Sequence, residues 1–298
     1  MDYRIESYSQ KWAKAFFSLV TGSARVSSSE AFPGLIRYRD CPRCSVEDDI
    51  FLAFQGKKLL GYAALVVEED ISRVIGDIFV FPRFRRNKIG TGLLTHVRDR
   101  TGGLAVKKIH IPVYDDNSSG QLFLRKRGLN PVKHYVEMET QQLDWSVRDF
   151  RSFEIKGYSE DEIDSLMDIQ NRVFNGSWGF NPNSMEDIVF YKNMMGNNWN
   201  DILRLKIEEQ DAGYIWTCPP GNDRIARIHM CGLLEKYRGK GLSKAVMAAG
   251  LTHLARKGAK TVRLTVDADN QPAVKLYQSM GFAPARRLVW YEEEIGSS

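Results

Sequence analysis

The run Leu233-Leu234-Glu235-Lys236-Tyr237-Arg238-Gly239-Lys240-Gly241-Leu242-Ser243-Lys244 sets two glycines among basic residues where an apolar stretch gives way to a helical one. Small residues let successive backbone N–H groups converge on an anion, and the helix that follows turns its positive end toward it. The chemistry this suits is capture of a pyrophosphate. The run lacks the GK[ST] ending of a P-loop and the GxGxxG spacing of a dinucleotide turn. A second run follows from Val266 to Phe282. In it Asn270 has the place of an N-cap and Gly281 that of the residue closing a helix. Tyr277 lies inside that helix with a phenol long enough to reach across to the turn of the first run, either as a packing residue or as a proton donor.

The elements that must position these residues occur twice. At an offset of 153 residues Arg85 falls on Arg238, Asn117 on Asn270, Gly128 on Gly281, Leu129 on Phe282 and Pro131 on Pro284. The strand-like Ile109–Val113 falls on Val262–Val266 in the same register. One offset held across Arg, Asn, Gly and Pro landmarks marks two copies of one domain, 1–145 and 146–298, joined near Trp145–Asp149. In the second copy the pattern predicts a strand at 153–155 and a helix over 161–174 opened by a Ser159/Glu162 capping box. A helix over 185–195, strands at 202–208 and 212–218 turning at Glu209–Asp211, and a strand at 225–233 come next. Helix 242–257, strand 261–267, helix 271–280 and strand 288–295 complete it. The first copy predicts strands at 50–54, 60–67 and 74–80, helix 91–100, strand 108–113, helix 118–127 and strand 135–143. The class is α+β (mixed α/β), a central sheet with helices on its faces.

Taken together, the two runs resemble the GNAT N-acetyltransferase superfamily, and within it the tandem members of the mycothiol synthase type. The first follows the (Q/R)xxGx(G/A) signature as Arg238 to Ser243, with Ser243 in place of Gly or Ala. The second follows NxxAxxLYxxxGF as Asn270-Gln271-Pro272-Ala273-Val274-Lys275-Leu276-Tyr277 through Gly281-Phe282. The resemblance covers both halves, strongly over 225–295 and more loosely over 74–140. It implies two tandem GNAT-like domains, each with a central splayed mixed sheet. It also implies acetyl-CoA as co-substrate, held by Leu233, Arg238, Gly239, Lys240, Gly241, Leu242, Ser243, Lys244 and Asn270, and Tyr277 as general acid toward the leaving thiolate. Related enzymes often carry a Glu six residues ahead of the Leu233 position; here that residue is Arg227. His229, two along and on the same face by strand alternation, becomes the candidate base, with an imidazole near its ordinary value of ~6.5. Glu235 is the outside candidate. The first copy reads Arg85-Arg86-Asn87-Lys88-Ile89-Gly90, with Lys88 in the place of Gly241 and Leu124 in that of Tyr277. Leucine donates no proton, so this copy reads as degenerate, kept for architecture and for walling the acceptor cleft. The loop Asn175–Pro182, with Trp178 and Phe180, lies where this fold lines the acceptor side.

Composition narrows the classes further. Apolar residues are 43% and charged residues 27% of the 298, the balance of a folded globular chain. No stretch approaches the ~20 apolar residues of a membrane span, and the start lacks the pattern of a secretory leader, so a cytoplasmic location is expected. Four cysteines make no disulfide framework. Cys41-Pro42-Arg43-Cys44 lacks the second ligand pair of a zinc site, so no metal is expected. A net charge of +5 suits an anionic ligand, and no basic block with interleaved aromatics points to nucleic acid. Nothing sets an oligomeric state beyond a monomer. The reading favoured is acetyl transfer to a small-molecule primary amine; the alternatives are a peptide or protein amine as acceptor, and a non-catalytic acyl-CoA-binding module.

Overall fold

Residues 2–12, 40–145 and 153–296 are described by the structure, a computed structural model. The join expected near Trp145–Asp149 lies, beyond Trp145 itself, outside these residues. The chain divides into two units: Met1–Val113 with Ser119–Val132 and Trp290–Ser298, and Tyr114–Ser118 with Lys133–Val289. The first half thus gives most of its closing strand to the second unit, while the last strand of the chain runs mainly in the second unit and ends in the first. This is a different division from the copies 1–145 and 146–298.

The first unit holds strands β1 (Arg4–Ser7), β2 (Ile50–Gln55), β3 (Lys58–Glu68), β4 (Arg73–Val80) and β5 (Lys108–Tyr114) side by side in that order. The far end of the last strand of the chain, β12 (Ala283–Glu294), lies next to β5. There Glu292 meets His110 at 2.7 Å and Lys108 at 3.1 Å. Short helix α1 (Val46–Asp49) leads into β2. Helix α2 (Ile89–Gly102) buries Leu93, Leu94 and Val97, and α3 (Ser118–Arg125) buries Leu124.

The second unit is the one that matters for chemistry. Its strands are β6 (Asn130–Thr140), β7 (Glu154–Gly157), β8 (Ile202–Ile207), β9 (Gln210–Cys218), β10 (Ile225–Leu233) and β11 (Thr261–Asp267). They stand in the order β12–β6–β11–β10–β9–β8–β7. β10 pairs with β11 in parallel, whereas β6 with β11, β10 with β9, β9 with β8 and β8 with β7 are antiparallel. One face carries α6 (Leu242–Arg256), whose Val246, Met247, Leu251 and Leu254 pack on Ala226, Ile228, Val262, Leu264, Val266 and Met138. The residues flanking this core include Val274 and Tyr277 of α7 (Gln271–Ser279). The other face carries α4 (Ile163–Phe174) and α5 (Met185–Met194) over Tyr214, Trp216 and Leu234.

Local rules account for most of these elements. The Ser159/Glu162 box opens the helical turn before α4, and a Ser184/Asp187 box opens α5. The Ala, Leu and Met content of α6 favours a helix. Its Gly250 is needed because a methyl there would run into Ile215. The β8–β9 turn falls at Glu208-Glu209 rather than at Glu209–Asp211, with φ of 49° and 63°. Two left-handed residues are what a tight hairpin demands, and no Asn-Gly pair announced them. β6 and β12 both start earlier than the pattern predicts, at Asn130 and Ala283, so Pro131 and Pro284 lie at the first turnings of strands, where proline is tolerated.

Candidate functional site

β10 and β11 run parallel and paired from Ile225↔Thr261 to Ile228↔Leu264, and there the pairing ends. β10 continues with β9 as far as Leu233↔Gly213, while β11 continues with β6 from Thr265↔Glu137 to Asp267↔Tyr135. The two strands therefore part, and the facing edges of 229–233 and 265–267 lose each other. This is the splay that the resemblance implied. A bulge in β10 between Ile228 and Met230 falls at the same point; the extra residue kinks the strand and bends it off its neighbour. In the first unit β4 and β5 also pair only from Arg73↔Lys108 to Ile75↔His110, but β4 keeps an unbroken register with β3.

The open end of the fork leads into the glycine turn. Gly239 and Gly241 have φ of 73° and 77°, a left-handed geometry that costs glycine nothing. A methyl on either would meet nothing within 4 Å, so both glycines are open to solvent and no neighbouring segment among the described residues covers the turn. Helix α6 starts at Leu242, and its first N–H groups have no partner in their own helix. Arg238 is committed elsewhere: its N–H donates to the Glu235 carbonyl, its Nε to the Leu233 carbonyl at 3.0 Å, and its Nη2 to the Val173 carbonyl at 3.3 Å. Its side chain ties the end of β10 to the end of α4. Arg85 does the same for Val80 in the first unit, at 3.1 Å. Lys240 and Lys244 are exposed, the latter with its ammonium 5.3 Å from the Trp145 ring centre. Asn270 caps α7, accepting from the Ala273 N–H at 3.2 Å. In the first unit Arg86 and Lys88 hold φ of 68° and 62°, so the backbone of the turn survives there without its glycines.

Tyr277 stands beside the fork on the α6 side, its ring 5.9 Å from that of Phe282. Burial pushes its phenol well above the ordinary value, and the nearness of Cys231 adds to this. That places it across from β10 just beyond the bulge. Cys231 is its neighbour, and burial pushes that thiol up to about 12. Leu124 of the first copy is buried.

His229 is the bulged residue. It lies on the α4–α5 side, with ring centres 5.6 Å from Tyr191 and 5.4 Å from Trp216. Arg227 shares that side, since Ile228 and Cys231 point toward α6. Alternation holds from Arg227 through Ile228 to His229 and breaks just after, where the bulge resets the parity of β10 and Met230 faces α4 and α5 beside His229. The ordinary imidazole value expected for His229 is also corrected: burial lowers it to about 4, with no charged or hydrogen-bonding neighbour to offset the effect. Glu235 is exposed on the turn ahead of Arg238.

The acceptor-side loop divides in two. Phe180 packs on Phe174 at 5.6 Å, whereas Trp178 faces β6, its carbonyl accepting from the Tyr135 hydroxyl at 3.4 Å. A separate cavity of about 330 Å³ lies between α4 and β8–β9, lined by Arg172, Arg204 and Lys236 among others, and is no part of the fork. Among the described residues no group of three His, Cys, Asp or Glu side chains is placed to hold a metal ion, and no helix is long and apolar enough to cross a membrane. The sequence pattern missed the Arg227–Glu137 ion pair, 3.0 Å long. Its only signal was an arginine at a position where relatives often carry an acid.

A parallel pair that parts at a bulge and opens onto a glycine turn defines an acyltransferase architecture. The Acetyltransferase (GNAT) family pattern matches residues 13–129 and 163–282, and the chain belongs to that family of acetyltransferases. It is similar to the mycothiol acetyltransferase of Renibacterium salmoninarum, with 39% identity over 247 residues, 75% of this chain and 69% of that one. It is also similar to the mycothiol acetyltransferase of Thermobispora bispora, with 30% identity over 249 residues, 78% and 79% of the two chains. Among solved structures, a tandem GNAT protein from the clavulanic acid biosynthesis pathway shares the fold across all of both chains, with a TM-score of 0.75 and 15% identity. A GCN5-related N-acetyltransferase from Sphaerobacter thermophilus does so with a TM-score of 0.73 and 16% identity, over 99% and 96% of the chains.

Proposed function

We propose that the second unit transfers the acetyl group of acetyl-CoA to a primary amine of a small molecule by direct attack. The observation that carries this reading is the fork: β10 and β11 part at Ile228↔Leu264, and the opening runs to a turn whose Gly239 and Gly241 are left-handed and open to solvent. The pyrophosphate sits on the N–H groups from Gly239 to Ser243 at the head of α6, flanked by Lys240 and Lys244. The pantetheine arm follows the freed edge of β10 toward the bulge. A backbone N–H near Leu233 polarises the thioester carbonyl.

The acceptor enters from the α4–α5 side. Its nitrogen lone pair attacks the carbonyl carbon, the C–S bond of the tetrahedral adduct breaks, and the departing thiolate takes a proton from the Tyr277 hydroxyl. A phenol raised by burial is protonated at every working pH and so is available as a donor, and because that same shift makes the phenolate a strong base, its oxygen recovers through water the proton the amine sheds. The amine must shed a proton as it attacks. His229 at about 4 is neutral and offers an acceptor nitrogen, but it is too weak a base to retain that proton. Its part is to receive a hydrogen bond from the amine while the proton passes to water. Arg238 and Asn270 serve the same site by holding the turn and the helix in shape. The mycothiol acetyltransferase relatives support a small-molecule acceptor. The test is a panel of amines incubated with the protein and acetyl-CoA and read by mass spectrometry. Acetylated product that disappears in Tyr277→Phe is the expected result, and no product from any amine overturns the reading.

A further inference from the structure

The face of the second unit that meets the acceptor carries a charged row. Arg227 on β10 is level with Arg263 on β11, and Arg263 is level with Glu139 on β6. One step toward the open end of the fork, Thr265 is level with Glu137. Directly opposed residues share a face of a sheet, so all five project toward the α4–α5 side. Arg263 takes the partner in its own row, Glu139, at 2.9 Å. Arg227 does not stay in its row. Its Nη1 reaches Glu137 at 3.0 Å, crossing β11 diagonally, two strand spacings or ~10 Å from its own backbone. The guanidinium is thereby drawn over Thr265, the first residue of β11 beyond the parting.

Burial divides the pair. The Glu137 side chain is 3% exposed and that of Arg227 52%. The carboxylate is sealed beneath and cannot meet a ligand; it acts as an anchor. The guanidinium offers five N–H donors in a planar fork, and the anchor engages it through Nη1. The neighbouring arginines are more enclosed and already paired. Arg263 is 31% exposed and bound to Glu139, and Arg286 is 25% exposed, bound to Asp116 and 3.8 Å from the Tyr114 ring centre.

We propose that Arg227, held over the mouth of the fork by Glu137, reads an acidic group, a carboxylate or a phosphate, carried a few bonds from the amine that is acetylated. This deepens the acetyl-transfer reading and rests on it. An arginine fork binds a planar carboxylate or a phosphate through two donors at once. A cation at that place repels a plain ammonium and welcomes a zwitterion whose anionic end meets the guanidinium while its amine points into the fork. Trp178 and Tyr135 wall the same side.

Matched acceptors test it: an α-amino acid against its amide, and an aminoalkyl phosphate against the parent amino alcohol. Charge-assisted bonds predict kcat/KM higher for the acidic member by about 10- to 100-fold, and the better of the two pairs tells carboxylate from phosphate. Arg227→Gln brings the ratio near one, and Arg227→Lys retains part of it. A wild-type ratio near one, or a ratio that Arg227→Gln leaves unchanged, overturns the proposal. A protein that acetylates nothing overturns the transfer reading instead, and a second arm then decides this one. The N-acetylated acid and its amide are titrated calorimetrically into the CoA-saturated protein. Tighter binding of the acid that is lost in Arg227→Gln supports the proposal, and equal binding of the two overturns it. A cooperative thermal melt of each variant verifies that it is folded.

Discussion

Protonation of His229 separates a buried site from an open one by a margin that a pH profile resolves. The perturbation is His229→Gln, compared with the wild type from pH 4 to 8. The ring lies between Tyr191 and Trp216, and burial lowers its value to about 4. If the reaction needs the neutral imidazole, kcat/KM corrected for the free amine is half-maximal near 4. At pH 5 about nine-tenths of the molecules are then competent, against about one in thirty for a ring at the ordinary value. The two cases differ by roughly 30-fold at that single pH. Steady-state rates with acetyl-CoA and an amine identified in the panel supply the profile. A limb centred near 6.5 that vanishes in His229→Gln refutes the burial argument, and identical profiles in the two proteins refute any part for His229. Stability gives an independent check. Between about 6.5 and about 4 the unfolded chain binds a proton at this position and the folded chain does not, so stability contributed here is present above 6.5 and is lost as pH falls toward 4. His229→Gln flattens that slope whatever its effect on turnover.

Tyr277→Phe removes the proton donor and leaves the ring, so kcat falls about 10- to 10⁴-fold while calorimetric affinity for acetyl-CoA is retained; full activity returns Tyr277 to packing. Gly241→Lys, copying Lys88 of the first copy, abolishes most acetyl-CoA binding, because a side chain at φ 77° strains the turn and crowds the N–H groups that would meet the pyrophosphate, whereas Lys88→Gly changes turnover little. Unchanged affinity in Gly241→Lys removes the turn from the scheme. Glu162, held at about 2 by the guanidinium of buried Arg204, contributes stability above the ordinary carboxylate value that is lost as pH falls toward 2. Glu162→Gln lowers unfolding free energy at neutral pH by on the order of 1–3 kcal/mol, read by denaturant titration, and an unaltered midpoint contradicts the pairing. A fragment of residues 146–298 lacks β6 and melts without cooperativity, whereas 130–298 regains a cooperative transition; equal behaviour of the two shows that β6 is dispensable.

How much was legible depended on the range of the physics involved. Strands 225–233 and 261–267 are found where periodicity predicts them, as are the Ser159/Glu162 box and the Asn270 cap. Each of these is set by residues a few positions apart. The glycine turn was legible for the same reason, because its φ values are a property of Gly239 and Gly241 themselves. The bulge at His229 was not, since it exists only in the register of β10 against β9. The side His229 shares with Arg227 follows from the alternation expected, which holds up to His229 and fails only at Met230. The low value at His229 depends on Tyr191 and Trp216, which reach it only through the packing of α5 and β9. Glu137, 90 residues from Arg227, was invisible to any local pattern.

The retention of a copy without a proton donor follows from where its last strand goes. Residues 133–140 belong to the second unit, and there β6 covers the whole edge of β11 from Val262↔Thr140 to Asp267↔Tyr135. Met138 is fully buried in the core beneath α6, so the strand contributes apolar contact that no residue of 146–298 replaces. Its other face supplies Glu137, which anchors Arg227, and Tyr135, which meets Trp178. Holding β11 against β6 past Leu264 is also what keeps it from following β10, so the parting of the fork depends on this strand as much as on the bulge. A duplicated domain that had lost its own chemistry but gave up this strand would leave its twin with an open sheet edge and an unanchored arginine. Residues of the first copy therefore bear directly on the geometry of the second site through β6.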